Sequence, residues 1–143
     1  MTSSATAASA TPRNLGRSTG ALALGFTTVV VLSLGTDEEL HVLKVYPPWN
    51  EPIYDSRLCL LALSYRVVYT ILGSYIAAKY APHRPMGHAI ALGVVGTVIG
   101  AVGAMATIPM HLGPAWYPIA IAATALPCAW LAGVLYRRWH TER

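Results

Sequence analysis

The chain alternates between four long apolar blocks and short polar segments. The blocks cover about residues 18–35, 58–78, 87–108 and 115–136. A helix of about 20 residues crosses a hydrocarbon core of about 30 Å, so each block is long enough to span a membrane. Residues 80–86 and 109–114 connect the last three blocks and contain proline, so consecutive helices must be antiparallel neighbours. The pattern predicts an all-α membrane protein, a bundle of four transmembrane helices running up and down.

The polar segments divide the rest of the chain. Residues 1–14 are rich in Ser, Thr and Ala and are predicted to be a disordered leader before a membrane domain of residues 15–137 and a cytoplasmic tail of residues 138–143. Residues 36–57 form the one sizeable loop, with five of the six acidic residues. Residues 41–46 alternate as a short strand would. This loop is expected to lie on the mouth of the bundle or to form a lid or partner surface.

Basic residues indicate the orientation. Seven lie on the side of the termini and two on the opposite side: Arg13, Arg17, Lys79, Arg84, Arg137, Arg138 and Arg143 against Lys44 and Arg57. Cytoplasmic loops carry the excess of Lys and Arg, so both termini are predicted to be cytoplasmic. The first block also fits a cleaved signal peptide, but no convincing cleavage site follows it, and the charge pattern requires four spans.

Composition agrees with a multi-pass membrane protein and excludes several functions. Hydrophobic residues make up 55% of the 143 positions and charged residues 11%, against about 25% charged in soluble domains. The net charge of +4 resides in the flanks of the blocks, so no nucleic-acid partner is expected. The chain has no Cys-x-x-Cys, phosphate loop or plausible Ser-His-Asp set, and His88 begins the third block whereas His111 follows its other end. We expect no enzymatic activity, cofactor or metal.

Small residues predict how the helices pack. Gly93, Gly96, Gly100 and Gly103 lie on one face of the third helix, and the second helix offers Gly73-x-x-x-Ala77. Such faces let two helix backbones approach closely in lipid. They are interpreted as contacts within the bundle, with a homo-oligomer or another membrane protein as the alternative partner.

Arg66 is the candidate site residue. It lies inside the second block, on the face that also carries Cys59, Ala62 and Gly73. An arginine at the centre of a membrane helix costs at least about 2.5 kcal/mol and remains charged, so it needs acceptors. The four predicted helices contain no Asp or Glu, which also argues against a proton-coupled exporter.

Three interpretations of Arg66 stay open. It is a structural arginine paired with Glu51, Asp55 or the acidic cluster 36–39; or it binds an anion or lipid headgroup; or it contacts another membrane protein. The residues expected to line an anion site are Ser64, Tyr65 and Tyr69, or alternatively Tyr117.

Three short motifs resemble those of small uncharacterised four-helix bacterial inner-membrane proteins. They are Tyr65-Arg66, Arg84-Pro85-Met86-Gly87-His88 and Trp116-Tyr117-Pro118. The resemblance covers about residues 58–133. It implies four helices in a bacterial inner membrane and no particular activity. We therefore expect a non-enzymatic accessory or structural membrane protein, with a small transporter or an anion- or lipid-headgroup-binding protein as the alternative.

Overall fold

The computed structural model describes residues 14–142 and is all-helical in that range. Its elements are α1 (Leu15–Val42), α2 (Ser56–Tyr80), α3 (Pro85–Thr107), a short 3₁₀ helix (Ile108–Met110) and α4 (Trp116–Thr141). Four helical segments are long and apolar enough to span a membrane, which confirms the predicted all-α, multi-pass character. The predicted leader, apart from Asn14, lies outside the described residues.

The first helix is longer than predicted. It was expected to end at residue 35, but α1 continues to Val42 and includes the acidic cluster 36–39 and the start of the expected strand. Glu and Leu favour helix, and no proline follows the start of α1 until position 47, so one glycine at position 35 does not end the helix. Lys44 ends it in a left-handed conformation (φ 58°), and its N–H donates to the His41 carbonyl at 3.0 Å. The loop between α1 and α2, called the outer loop after the orientation that the basic residues predict, is therefore residues 43–55, and residues 14–142 contain no strand.

The other helix ends also differ slightly from the predicted bounds. α2 begins at Ser56, where the Asp55 carboxylate accepts the Arg57 backbone N–H at 2.8 Å. α3 begins at Pro85, since proline suits the first turn of a helix. α4 continues to Thr141, so most of the predicted tail is helical.

Small side chains form the interior and large ones face outward. The fully buried hydrophobic residues are all alanines: Ala77, Ala78, Ala89, Ala129 and Ala132. Large apolar side chains of α3 are 47–69% exposed, among them Val94, Val98, Ile99, Val102 and Met105. This distribution is typical of membrane helices, whose backbones pack closely while large side chains meet lipid.

Backbone contacts hold α1 against α2. A Cβ added at Gly25 would lie 2.5 Å from the Gly73 carbonyl oxygen, and one added at Gly73 would lie 2.5 Å from the Gly25 carbonyl oxygen. The same Cβ at Gly25 would lie 3.0 Å from the Cβ of Ala77. Gly73 and Ala77 therefore contact α1, and Gly25 supplies the partner surface that the sequence analysis did not name.

The glycines of α3 face α4 of the same chain. A Cβ added at Gly93 would lie 2.5 Å from the Cβ of Ala129, and one at Gly100 would lie 3.0 Å from Ala122. Gly96 faces Ala125 in the same way, at 3.3 Å. Three of the four glycines thus serve packing within one chain. Gly103 has no atom within 4 Å of an added Cβ.

Candidate functional site

A cavity of about 430 Å³ opens at the end of the helices where α1 ends and α2 begins. The end of α3, the start of α4 and the outer loop 43–55 complete its walls. The loop is fixed over this end because the Ile53 N–H donates to the Leu112 carbonyl at 2.8 Å, and the Tyr54 hydroxyl donates to the His111 carbonyl at 2.7 Å. The walls are mainly apolar, and include Leu58, Ala62, Gly103, Ala104, Ile108, Leu112, Pro118 and Ile121.

Arg66 lies in the wall of this cavity and forms an ion pair with Asp37 of α1. Its Nη2 lies 2.5 Å from Asp37 Oδ2, and the two side chains are 24% and 11% exposed. Arg66 Nη1 also donates to the Tyr65 hydroxyl at 3.0 Å and to the Ala62 carbonyl at 3.5 Å. Both terminal nitrogens of the guanidinium therefore have acceptors within the chain.

Two tyrosines complete the polar network around this pair. The Tyr65 hydroxyl donates to Asp37 Oδ1, so both carboxylate oxygens are hydrogen-bonded. The Tyr46 hydroxyl lies 3.2 Å from that of Tyr65 and donates to the Leu58 carbonyl at 3.5 Å. Tyr46 is only 5% exposed, and burial raises the pKa of its hydroxyl above the usual value for tyrosine. The network connects α1, α2 and the outer loop.

The expectation that the helices contain no carboxylate is wrong, because α1 extends through Asp37. Of the acidic partners expected for Arg66, the cluster 36–39 supplies the one in contact. Glu51 lines the cavity, and Asp55 caps α2. The argument against a proton-coupled exporter, which rested on the lack of a helical carboxylate, therefore no longer holds.

The residues predicted to surround Arg66 separate into different environments. Tyr65 belongs to the ion-pair network, and Tyr117 lines the cavity together with Arg66. Tyr69 lies one turn deeper, with its hydroxyl 2.8 Å from Thr36 Oγ1. Ser64 is exposed, and its hydroxyl donates to the Leu61 carbonyl of its own helix at 2.6 Å. The site thus combines Arg66 with Tyr117 rather than with Ser64 and Tyr69.

Asp37, His41 and Trp49 are cavity residues that the sequence analysis did not single out. The signal for Asp37 was a run of small residues at steps of four or eight, since Ala21, Gly25 and Ser33 share its buried face of α1. His41 lies one turn beyond Asp37 and stacks on Trp49, with ring centroids 3.8 Å apart and planes 5° apart. Both rings line the cavity and Trp49 is exposed, which puts this stack at the mouth of the cavity.

The described residues do not form a cluster of metal-ligating side chains. Residues 14–142 contain no group of three His, Cys, Asp or Glu side chains placed to hold a metal ion. The two cysteines, Cys59 and Cys128, are buried and unpaired.

Comparisons with known proteins give no relative. No protein family matches the chain, and no curated protein or solved structure is significantly similar to it.

Proposed function

We propose that the protein is a non-enzymatic, four-helix protein of a bacterial inner membrane that binds an amphipathic small molecule in its cavity. The excess of basic residues beside the termini supports an up-down bundle with both termini in the cytoplasm. In that orientation the cavity opens to the outside. The motif resemblance described in the sequence analysis implies the same number of helices and the same location.

The observation that carries this proposal is the cavity itself. Ligand sites in proteins are typically of about 300–1,000 Å³, mainly apolar, with a few polar groups that orient the ligand. The cavity of about 430 Å³ meets that description, because its walls are mainly apolar and also carry the polar side chains of Arg66, Asp37 and Tyr117. Arg66 and Asp37 hold each other by an ion pair, which suits a fixed polar wall better than a reacting group.

A cavity-filling variant tests the proposal. Gly103 lines the cavity and has no atom within 4 Å of an added Cβ, so Gly103→Leu should start its side chain in open space and occupy part of the cavity. Gly35→Leu is the matched control, since Gly35 is equally unobstructed and does not line the cavity. The probe is the neutral dye N-phenyl-1-naphthylamine, titrated into protein in dodecyl maltoside micelles against protein-free micelles.

We expect the wild type and Gly35→Leu to bind the dye saturably at one site per chain. Gly103→Leu should keep its helical circular dichroism and lose at least tenfold in dye affinity. Equal binding by all three proteins, or no saturable binding by the wild type, would contradict the proposal.

A structural or accessory role is the second candidate, and the satisfied ion pair favours it. A charged pair whose hydrogen bonds are met inside the chain joins helices without needing a ligand. The double variant Asp37→Leu/Arg66→Leu tests whether the ion pair is purely structural or is part of the ligand site. Unchanged dye binding in a folded double variant would assign the pair to structure alone, and lost binding in a folded variant would assign it to the ligand site.

A further inference from the structure

The charges around the cavity do not balance. The charged side chains in its lining are Asp37, Arg66 and Glu51, so the lining carries one net negative charge with His41 neutral. Asp37 and Arg66 neutralise each other at 2.5 Å, and within residues 14–142 theirs is the one ion pair. The uncompensated charge is therefore the exposed carboxylate of Glu51.

The helix ends do not change this balance. The C-terminal ends of α1 and α3 and the N-terminal ends of α2 and α4 all meet at this end of the molecule. Two partial negative and two partial positive dipole ends largely cancel. The sign of the field at the mouth is therefore set by the side chains.

An external anion would meet two obstacles in this cavity. The guanidinium of Arg66 already has an internal carboxylate, which the anion would have to displace. It would also pass Glu51, and like charges repel. The charges around the cavity therefore disfavour an anion bound to Arg66, which was one of the interpretations drawn from the sequence.

The mouth has the groups that attract a cation. Glu51 lines it together with the stacked rings of Trp49 and His41, and Tyr46 contacts His41 edge to face with ring centroids 5.3 Å apart. The faces of aromatic rings attract ammonium groups, and a nearby carboxylate adds a Coulomb term. Below the mouth the walls are apolar.

We propose that the cavity selects amphipathic monocations, with an ammonium group at Glu51 and Trp49 and an apolar body against the α3 and α4 walls. This inference rests on the proposed ligand-binding function and names the class of its ligand. Arg66, held by Asp37, forms a neutral wall of the cavity rather than the ligand's counter-ion.

Competition against the bound dye tests the selectivity. The competitors are benzyltrimethylammonium, neutral benzyl alcohol and anionic phenylacetate, which share one aromatic ring and differ in charge. Glu51→Gln removes the uncompensated charge with little change in shape. Glu38→Gln is the matched control, because Glu38 is an exposed carboxylate of the same end of the molecule that does not line the cavity.

We expect the wild type and Glu38→Gln to prefer the cation over the alcohol, and the alcohol over the anion. Glu51→Gln should weaken the cation about fivefold, the scale of one charge interaction near water, and leave the alcohol unchanged. The preference should also shrink between 20 mM and 500 mM salt, because the screening length falls from about 20 Å to about 4 Å.

The result that would overturn the inference is dye binding with no preference for the cation, or a preference that Glu51→Gln leaves intact. In either case dye binding in the wild type still supports the proposed function. Absence of saturable dye binding contradicts the proposed function itself, so the two failures are distinct.

Discussion

The pair of Asp37 and Arg66 shows how a permanent cation is kept within a membrane helix. An arginine there is costly unless its N–H groups find acceptors, and Asp37, Tyr65 and the Ala62 carbonyl supply them. Because both side chains are mostly buried, removing one charge leaves the other without compensation. The loss of stability on removing one partner should therefore exceed the net stabilisation that the intact pair provides.

A double-mutant cycle on this pair measures the coupling. We expect Asp37→Asn and Arg66→Gln each to lower the free energy of unfolding by about 3 kcal/mol, because each strands a buried charge. The double variant should lose less than the sum of the two, with a coupling of about 1–3 kcal/mol. Unfolding of the maltoside-solubilised protein by added dodecyl sulfate gives the energies. Arg57→Gln is the control, as Arg57 is exposed and has no ion pair in the described range. Additive single effects would show that the pair is not coupled.

The sequence could predict that Arg66 needs an acceptor but not which one. The acidic cluster 36–39 was a candidate partner, yet its distance from Arg66 depends on where α1 ends. Helix propensity alone does not place that end, since Gly35 favours a stop and Glu38 favours continuation. The packing of α1 against α2 at Gly25 and Gly73 fixes the register, and with it Asp37 at the level of Arg66.

At the scale of whole elements, the helices are held by close approach of backbones rather than by large interdigitating side chains. Gly25 and Gly73 form the contact between α1 and α2, and Gly93 and Gly100 that between α3 and α4. The glycine face of α3 was predictable from its spacing. That this face contacts α4 could not be predicted, because a face of small residues can pack against any helix that has a similar face.

Alanine substitutions should distinguish contact glycines from open ones. We expect Gly73→Ala to destabilise the protein by about 1–3 kcal/mol, because its Cβ would overlap Val29 and the Gly25 carbonyl oxygen of α1. Gly35→Ala, where an added Cβ meets nothing within 4 Å, should be neutral or stabilise by up to about 1 kcal/mol through helix propensity. Dodecyl sulfate unfolding compares the two. A Gly73→Ala protein as stable as the wild type would mean that α1 and α2 do not meet at this glycine.

At the scale of the molecule, the cavity lies at one end of the helices, and most of the basic residues that flank the helices belong to the other end. The cavity is formed where α1 ends and α2 begins, and the charged flanks gather beside the termini. The four spans could be predicted from hydropathy alone. The cavity could not, because it depends on the outer loop crossing to the α3–α4 connection through the contacts of Ile53 and Tyr54.

The orientation decides which compartment would supply the proposed ligand, and cysteine labelling tests the orientation. Asn50→Cys, in the outer loop, and Thr141→Cys, at the end of α4, are exposed and leave every basic residue in place. Both are made after Cys59→Ala and Cys128→Ala, which remove the buried thiols. A membrane-impermeant maleimide added to intact spheroplasts should label Asn50→Cys, and should label Thr141→Cys only after lysis. The reverse pattern would place the cavity on the cytoplasmic side, so that its ligand would come from inside the cell.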